Sequence, residues 1–407
     1  MEDQAPFLDD PVLRPVIRVA AGRSRRLRRG APWLFSNEID RTDDTGKIPS
    51  GSLVTVMDAG GERLGVATFN PHSLIAARLL DRNAAVRIDA AFLGERLREA
   101  MALRATIMRE GASFCRLVHA EADGLPGLVV DRYDDTVVVQ ANTAGMEALL
   151  PEVLTALDQV LAPRGVVLRN ESFARTLEGL APYVRVARGA VTGPVTVREN
   201  GCLFRVDLLH GQKTGWFYDQ RESRAYVAAL AQGRSVLDVY AYLGGFTLPA
   251  ARAGARAVLA IDRSEEALAL AEEAAEMNGV RDRCRFYRGE AFTELSHRLE
   301  AGERYDLVVC DPPAFVKSRK DLAAGRKGYR KLVRLAAGLV TPGGFLFVAS
   351  CSHHVSPDIL GEEIHHGLQQ AGRAARILRI AGAAPDHPLH PALPETAYLK
   401  SMLLQVA

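Results

Sequence analysis

The apolar residues of this chain change rhythm twice before they settle. From Val16 to about Leu80 they come in short alternations broken by Gly, Asp and Asn, as in Leu53-Val54-Thr55-Val56-Met57 before Asp58-Ala59-Gly60-Gly61, and in Leu64–Phe69. A period of two with turn residues between the runs predicts a small, mostly β module with hairpin turns. Residues 87–110 switch to helical spacing, with Ile88, Phe92, Leu97, Met101 and Ile107 set among charged residues and Gly111 as the stop. Strands at Cys115–Ala120, Leu128–Val130 and Thr136–Gln140, a helix from about Met146 to Leu161 and a strand at Val166–Arg169 make a compact α+β module. Pro182–Pro194 reads as the connection out of it.

From Val195 the pattern changes again. Val197–Val206 reads as a hairpin turning on Asn200-Gly201. After a helix at Arg221–Ala231, strands and helices alternate: Ser235–Val239, Phe246–Ala253, Ala257–Ile261, Glu265–Asn278, Arg285–Tyr287, Asp306–Cys310, Tyr329–Val340 and Phe345–Ala349. Such alternation predicts a parallel sheet with helices on both faces. The expected partition is a loose leader at 1–13, a β-rich domain at 14–84, an α+β domain at 85–194, and a doubly wound α/β domain at 195–407 with the hairpin at its start.

A chain of 407 residues is too long for one ordinary core, which suits that partition. The five cysteines are scattered, and neither CxxC nor a Cys/His cluster marks a metal site, so no metal is expected. A reducing cytoplasm suits them better than a disulfide framework. Met1-Glu2-Asp3-Gln4 opens no apolar signal segment, and no run approaches the roughly eighteen apolar residues of a membrane span. Net charge is only +2, but its distribution is uneven. Arg14, Arg18, Arg23, Arg25, Arg26, Arg28 and Arg29 crowd a segment free of acids, and Lys317, Arg319, Lys320, Arg326, Lys327, Arg330, Lys331 and Arg334 follow Asp311-Pro312-Pro313. Either run alone reads as well as a solvated face; the pair favours a polyanionic partner.

Two places carry chemistry. Ser235–Phe246 ends a strand, turns on Gly244-Gly245 and opens a helix, where glycines allow a ligand close to the backbone. One strand–helix unit later, Asp262 ends the second strand, where a carboxylate can accept hydrogen bonds from both ribose hydroxyls. The G-x-G-x-x-G pyrophosphate fingerprint is absent, so a nucleoside without a pyrophosphate, such as S-adenosylmethionine, fits better than a dinucleotide. At the other place, Phe345–Ala349 delivers Ser350-Cys351-Ser352 to the lip of the sheet, where open α/β folds bind ligands. Buried packing is the competing reading for a thiol.

Several long strings resemble one family. They are Pro32–Ile39, Gly65–Pro71, His119–Asp131, Gln212–Arg221, the Asp238–Gly245 loop, Asp311-Pro312-Pro313, Ser350-Cys351-Ser352, Asp386-His387-Pro388 and Pro394–Lys400. Together they are similar to the bacterial PUA-domain, class I ribosomal RNA (cytosine-5)-methyltransferases acting on large-subunit RNA. The resemblance covers nearly all of the chain beyond its first dozen residues. It implies a PUA-like N-terminal domain, an α+β central domain and a Rossmann-like methyltransferase domain. It also implies that Phe217, Asp219, Gln220, Arg221, Asp238, Tyr240, Gly244 and Gly245 cradle the methionine part of S-adenosylmethionine. Asp262 would hold the ribose, and Glu290 and Ala291 would lie by the adenine, with Glu290 standing where relatives often carry Asp. Asp311 would border both the cofactor and the target base.

Cys351, matching the family's Ser-Cys-Ser nucleophile, would add to ring carbon 6 of cytosine, making carbon 5 nucleophilic enough to accept a methyl group. Asp311 would hydrogen-bond the ring. Position 314, where some related enzymes keep a second thiol, is Ala314, and no base for the carbon-5 proton stands out. Arg23, Arg25, Arg26, Arg28, Arg29, Lys317, Arg319, Lys320, Arg326 and Lys327 would meet the RNA backbone. Two rivals stay open: a guanine-specific rRNA methyltransferase on the same scaffold, and a PUA-type assembly factor with a vestigial domain. Monomer and homodimer are equally compatible with the sequence.

Overall fold

The computed structural model describes residues 9–40, 44–108 and 112–407. The expected leader at 1–13 and the stop at Gly111 therefore lie largely outside the described residues. The chain divides into two compact units, one of residues up to Gly193 with Asp207–Trp216 and Pro385–Pro394, the other of Pro194–Val206, Phe217–Ala384 and Glu395–Ala407.

Among the described residues, the first unit carries two five-stranded sheets. One runs Val16–Arg18, Ser52–Met57, Arg63–Phe69, Ile75–Asp81, Trp33–Phe35 in spatial order, the β module expected from the alternation. The other runs Tyr183–Gly189, Gly165–Asn170, Thr136–Ala141, Leu128–Tyr133, Phe114–His119. Its core is shared with helices Ala90–Ile107 and Leu150–Leu161, whose Leu93, Leu97, Val153 and Leu157 are buried. Two expectations need correction. The helix predicted from Met146 is two helices, Ala144–Ala148 and Leu150–Leu161, because Pro151 fits only the first turn of a helix. The connection predicted at Pro182–Pro194 contains the edge strand Tyr183–Gly189, paired antiparallel with Gly165–Asn170. Asp207–Trp216 and Pro385–Pro394 group with the first unit. Tyr133 Oη donates to Thr214 O and accepts from Trp216 N, each at 3.0 Å, while Asp386 accepts from Arg116 N at 3.1 Å.

The strands of the second unit's main sheet, numbered within it, are β1 (Ser235–Val239), β2 (Ala257–Asp262), β3 (Cys284–Arg288), β4 (Tyr305–Cys310), β5 (Val340–Ser350), β6 (Ala375–Ala381) and β7 (Lys400–Val406). Their spatial order is 3-2-1-4-5-7-6, parallel through β5. β7 runs antiparallel between β5 and β6. The order reverses between β1 and β4, so ligands belong at the C-terminal ends of those strands. Because β7 runs the other way, its first residue, Lys400, reaches that same edge.

Helices cover the sheet: α1 (Arg221–Ala229), α2 (Thr247–Arg252), α3 (Glu265–Met277), α4 (Ala291–Glu300), α5 (Leu322–Leu339) and α6 (Pro357–Gln370). α5 starts earlier than the predicted Tyr329 and buries Tyr329, Leu332, Val333, Ala336 and Leu339, one stripe at helical spacing. Truncating Leu332 to Ala in that stripe would cost about 2–5 kcal/mol. The hairpin Val195–Glu199/Cys202–Val206 turns as predicted, with Asn200 and Gly201 both at positive φ.

Candidate active site

The acidic residues forecast as a ligand site converge at the C-terminal edge of β1, β2 and β4. Asp238 is fully buried, and its Oδ2 accepts a 2.7 Å hydrogen bond from Thr247 Oγ1 at the start of α2. Its Oδ1 has no hydrogen-bond partner among the described residues. Burial, reinforced by the nearby Asp311 and Asp262, pushes its carboxyl up to about 7. Asp262 presents a carboxylate braced by two backbone amides, Tyr242 N and Ser264 N, each at 2.9 Å. Each of its oxygens keeps a lone pair for an incoming hydroxyl.

The loop between β1 and α2 is bent tightly. Tyr240 and Tyr242 have φ of 67° and 49°, conformations an L-residue adopts at a cost, and both Tyr240 N and Ala241 N donate to Ile261 O at 3.0 Å. Gly244 needs its φ of 76°; a Cβ there would also press on Leu248 and Ala271. A Cβ on Gly245 would stand 2.9 Å from Arg224 Nε. Arg224 pairs with Glu199 of the hairpin at 2.5 Å and donates to Phe217 O, fixing the entry to α1.

That entry supplies the second wall. Gln220 Nε2 donates to Asp311 Oδ1 at 3.0 Å, so two residues far apart in sequence meet, while Gln220 Oε1 is buried with no partner among the described residues. Asp219 accepts from Tyr398 Oη at 2.6 Å and Ala384 N at 2.8 Å. Phe217 meets the Tyr242 ring edge-on at 5.5 Å. Arg221 lies over the Tyr218 ring and 3.8 Å from Glu199, which gives it a bracing task in the fold. Glu290 caps α4, its Oε2 accepting from Thr293 N and Oγ1 at 2.9 and 3.0 Å. Desolvation raises its pKa, but the Thr293 and Phe292 amides outweigh that and hold the carboxyl below its ordinary range. Ala291 is buried in the core beside Leu295.

The set is rich in acceptors: one buried carboxyl oxygen, one buried amide oxygen and one braced carboxylate. A ligand that brings an ammonium group and vicinal hydroxyls, as S-adenosylmethionine does, fits it.

Cys351 follows β5. Of the five cysteines, four are buried and Cys351 is half-exposed. Burial pushes the Cys202 thiol up to about 11 and Cys284 to about 12, and raises Cys310 further still, so these are inert packing groups. The serines that flank Cys351 are clamped. Tyr329 Oη from α5 bonds Ser350 Oγ at 2.7 Å and Ser352 Oγ at 3.1 Å, and Val316 N donates to Ser352 Oγ at 3.2 Å. The loop after Asp311-Pro312-Pro313 is thereby tied to the loop of Cys351. Lys400, 5% exposed, donates from Nζ to Ser352 O at 2.5 Å. The sequence marked Cys351 and Asp311 but neither Tyr329 nor Lys400. A lysine opening the apolar run Lys400–Val406 was the available signal.

The basic clusters are mixed. Arg23, Arg25, Arg26 and Arg29 are exposed, with Arg26 over the Phe35 ring at 5.0 Å. Arg28 is engaged by Asp58 and Glu62, and Arg14 is buried against Asp9. Lys317, Arg319, Lys320 and Lys327 are exposed, whereas Arg326 is held by Glu362 at 2.7 Å and Glu363 at 2.6 Å. Among the described residues, no helix is long and apolar enough to cross a membrane.

Strand order 3-2-1-4-5-7-6 with acids at the ends of β1, β2 and β4 defines a class I, S-adenosylmethionine-dependent methyltransferase. The family described as S-adenosylmethionine-dependent methyltransferase matches residues 188–405, and a PUA-like domain matches 17–82. The chain is 34% identical to the ribosomal RNA large subunit methyltransferase I of Klebsiella pneumoniae strain 342, over 97% of this chain and 99% of that protein. It is 36% identical to the same-named enzyme of Aliivibrio fischeri strain ES114, over 96% and 99%. The chain belongs to the ribosomal RNA large subunit methyltransferase I family. In fold it is similar to a candidate SAM-dependent methyltransferase of Streptococcus mutans (TM-score 0.80, 20% identity, 96% of this chain and 100% of that one). A second structure, a candidate methyltransferase complexed with SAH, superposes with a TM-score of 0.82 at 19% identity, over 96% and 100%.

Proposed function

We propose that the enzyme forms 5-methylcytosine in large-subunit ribosomal RNA through a covalent bond between Cys351 and ring carbon 6. The observation that carries this reading is the half-exposed Cys351 at the site's edge, between two clamped serines, while the other four thiols are buried. Bound S-adenosylmethionine supplies an electrophilic methyl group. Asp238 and Gln220 would take its ammonium group, Asp262 its ribose, and Phe217, Asp219, Tyr240, Gly244 and Gly245 would shape the space around it. Arg221 would act by bracing that wall, and Glu290 and Ala291 would border the adenine.

Cys351 adds as thiolate to carbon 6, which moves electron density to carbon 5. Asp311, oriented by Gln220, hydrogen-bonds the ring nitrogen or amino group and holds the base in register. A stacked base hides its ring edge, so the target must be unpaired or extruded. Arg23, Arg25, Arg26 and Arg29, with Lys317, Arg319, Lys320 and Lys327, would hold the RNA backbone without reading sequence. Residues 14–84 would serve as the PUA-like RNA-binding domain, 85–194 as a central domain and 195–407 as the catalytic domain. Ribosomal RNA as substrate makes the cytoplasm the working compartment.

The test is trapping. RNA carrying 5-fluorocytosine at the target should hold the enzyme as a stable adduct, since fluorine cannot leave carbon 5 as a proton does. Cys351→Ala should lose the adduct and lower methyl transfer on the order of 10⁴-fold, with cofactor affinity unchanged. Normal methylation by that variant, or a methylated guanine in the product, would replace the cytosine reading with the guanine one.

A further inference from the structure

Cys351 needs help to be a nucleophile, because an ordinary thiol ionises near about 8.5. His353 and His354, the histidines nearest in sequence, are both exposed, and the His353 ring packs 5.8 Å from that of Tyr398. The cation nearest this segment comes from another strand. β7 enters the sheet antiparallel to β5 with Lys400 paired opposite Ser350, and Lys400 Nζ donates to Ser352 O. The lysine's backbone is thus paired with one neighbour of the nucleophile and its ammonium is held by the other.

Lys400 has no carboxylate partner among the described residues; its one hydrogen bond is the carbonyl of Ser352. A buried ammonium without a counter-ion is costly, so the site is incomplete until an anion appears. Burial lowers its pKa to about 8, and the one titratable group acting against that is the Cys351 thiol. Tyr398, two residues earlier on the same segment, is engaged by Asp219, and on β5 the register partner Ser350 is neutral.

We infer that Lys400 is the positioning residue that sustains Cys351 as a thiolate, its ammonium serving as the counter-ion built into the edge of the sheet. The inference rests on the proposed role of Cys351 as nucleophile. The thiol proton passes from Sγ to the Lys400 amine in its neutral form, leaving a thiolate and an ammonium. The sulfur electron pair forms the bond to carbon 6 as the ring π pair moves to carbon 5, which would take the methyl group of bound S-adenosylmethionine, the thioether S-adenosylhomocysteine leaving. When the carbon-5 proton leaves for a base, its electron pair rebuilds the ring double bond as the S–C6 bond breaks. The thiolate thus returns beside the same cation. Lys400 therefore stays charged through turnover, and a different group accepts the carbon-5 proton.

The experiment reads the thiol without RNA. Iodoacetamide alkylation of Cys351 is followed by peptide mass spectrometry across pH, in the full-length protein. The wild-type inflection should fall below about 8.5. Lys400→Met should move it up by about one unit or more, and Lys400→Arg should restore it. An inflection in wild type at or above the ordinary value overturns the inference. So does an unchanged profile in a Lys400→Met protein that still binds S-adenosylmethionine by calorimetry. Should Lys400→Met fail to fold, the wild-type inflection decides. Trapping on 5-fluorocytosine RNA runs alongside. A shifted profile with no adduct sinks the cytosine reading and leaves the ion pair standing; an adduct with an unshifted profile sinks the ion pair alone.

Discussion

One buried cluster of the first unit and the candidate site of the second treat charge in opposite ways. In the first, Arg104 grips Asp123 at 2.5 and 2.9 Å and donates to Arg116 O and Asp386 O, while Arg116 grips Asp131 at 2.5 and 2.9 Å. Asp386 meets His387 at 2.9 Å, and His119, stripped of water and facing Arg116, has its pKa driven well below the usual value and stays neutral. Asp123 and Asp131 in this cluster each have an arginine across from both oxygens. In the second, Asp238 leaves an oxygen without a partner, Gln220 does the same, and Lys400 has a carbonyl where a carboxylate would normally be. Complete pairing marks a structural cluster; partial pairing at the open end of a parallel sheet marks a place for something that arrives later.

The contrast can be broken most forcefully from the structural side. Arg104→Met leaves Asp123 buried without its cation and should cost about 3–5 kcal/mol of unfolding free energy in denaturant titration, with S-adenosylmethionine affinity intact. A loss of cofactor affinity in the folded variant would mean the cluster is no mere brace. Asp238 tests the other side through pH. Its folded pKa lies above the ordinary carboxylate value, so its contribution is full below about pH 4 and is lost as pH rises through about 7. Asp238→Asn should abolish that decline in ligand-free protein, gaining on the order of 4 kcal/mol at most by pH 8, while weakening cofactor binding. Parallel stability curves for the two proteins would end this account of Asp238.

Smaller effects sharpen the same line. Asp262→Ala should weaken S-adenosylmethionine binding by about 1.5–3 kcal/mol in calorimetry, because it removes a braced, charge-assisted acceptor. An unchanged dissociation constant would take Asp262 out of the site. Among the basic residues, reversing Arg25, Arg26 and Arg29 should flatten the salt dependence of RNA binding by roughly 0.7 per lost phosphate contact. Arg28→Ala, whose guanidinium already has Asp58 and Glu62, should barely alter it. Equal effects from both would show that engagement by acids does not set a cation's availability.

The alternating elements of the second unit were legible because each strand is a short apolar run between turn signals: β1, β2 and β4 fall within a residue of their predicted bounds. The early turns of α5 were not. Gly325 and Gly328 weaken a helical pattern, yet they give clearance, since a Cβ on Gly325 would lie 2.2 Å from Val316 and one on Gly328 3.1 Å from Phe315. Strand Tyr183–Gly189 was hidden for a different reason. It is an exposed edge with arginines on it, so it lacks the apolar density of a central strand. In the site, Asp238, Asp262, Asp311 and Cys351 announce themselves by ending strands. Lys400 begins one, and only the antiparallel direction of β7, invisible in local pattern, turns a strand's beginning into the catalytic edge.

That reversed strand also sets an order of events. β7 lies between β5 and β6 in space but follows both along the chain, so during synthesis the flank of β5 stays open until Lys400–Val406 has emerged. Domains generally fold as units while the chain is being made. Cys351 is translated before Lys400, 49 residues earlier in the chain. On the proposed role of Lys400, the thiol would gain its counter-ion only with the closing of this one strand.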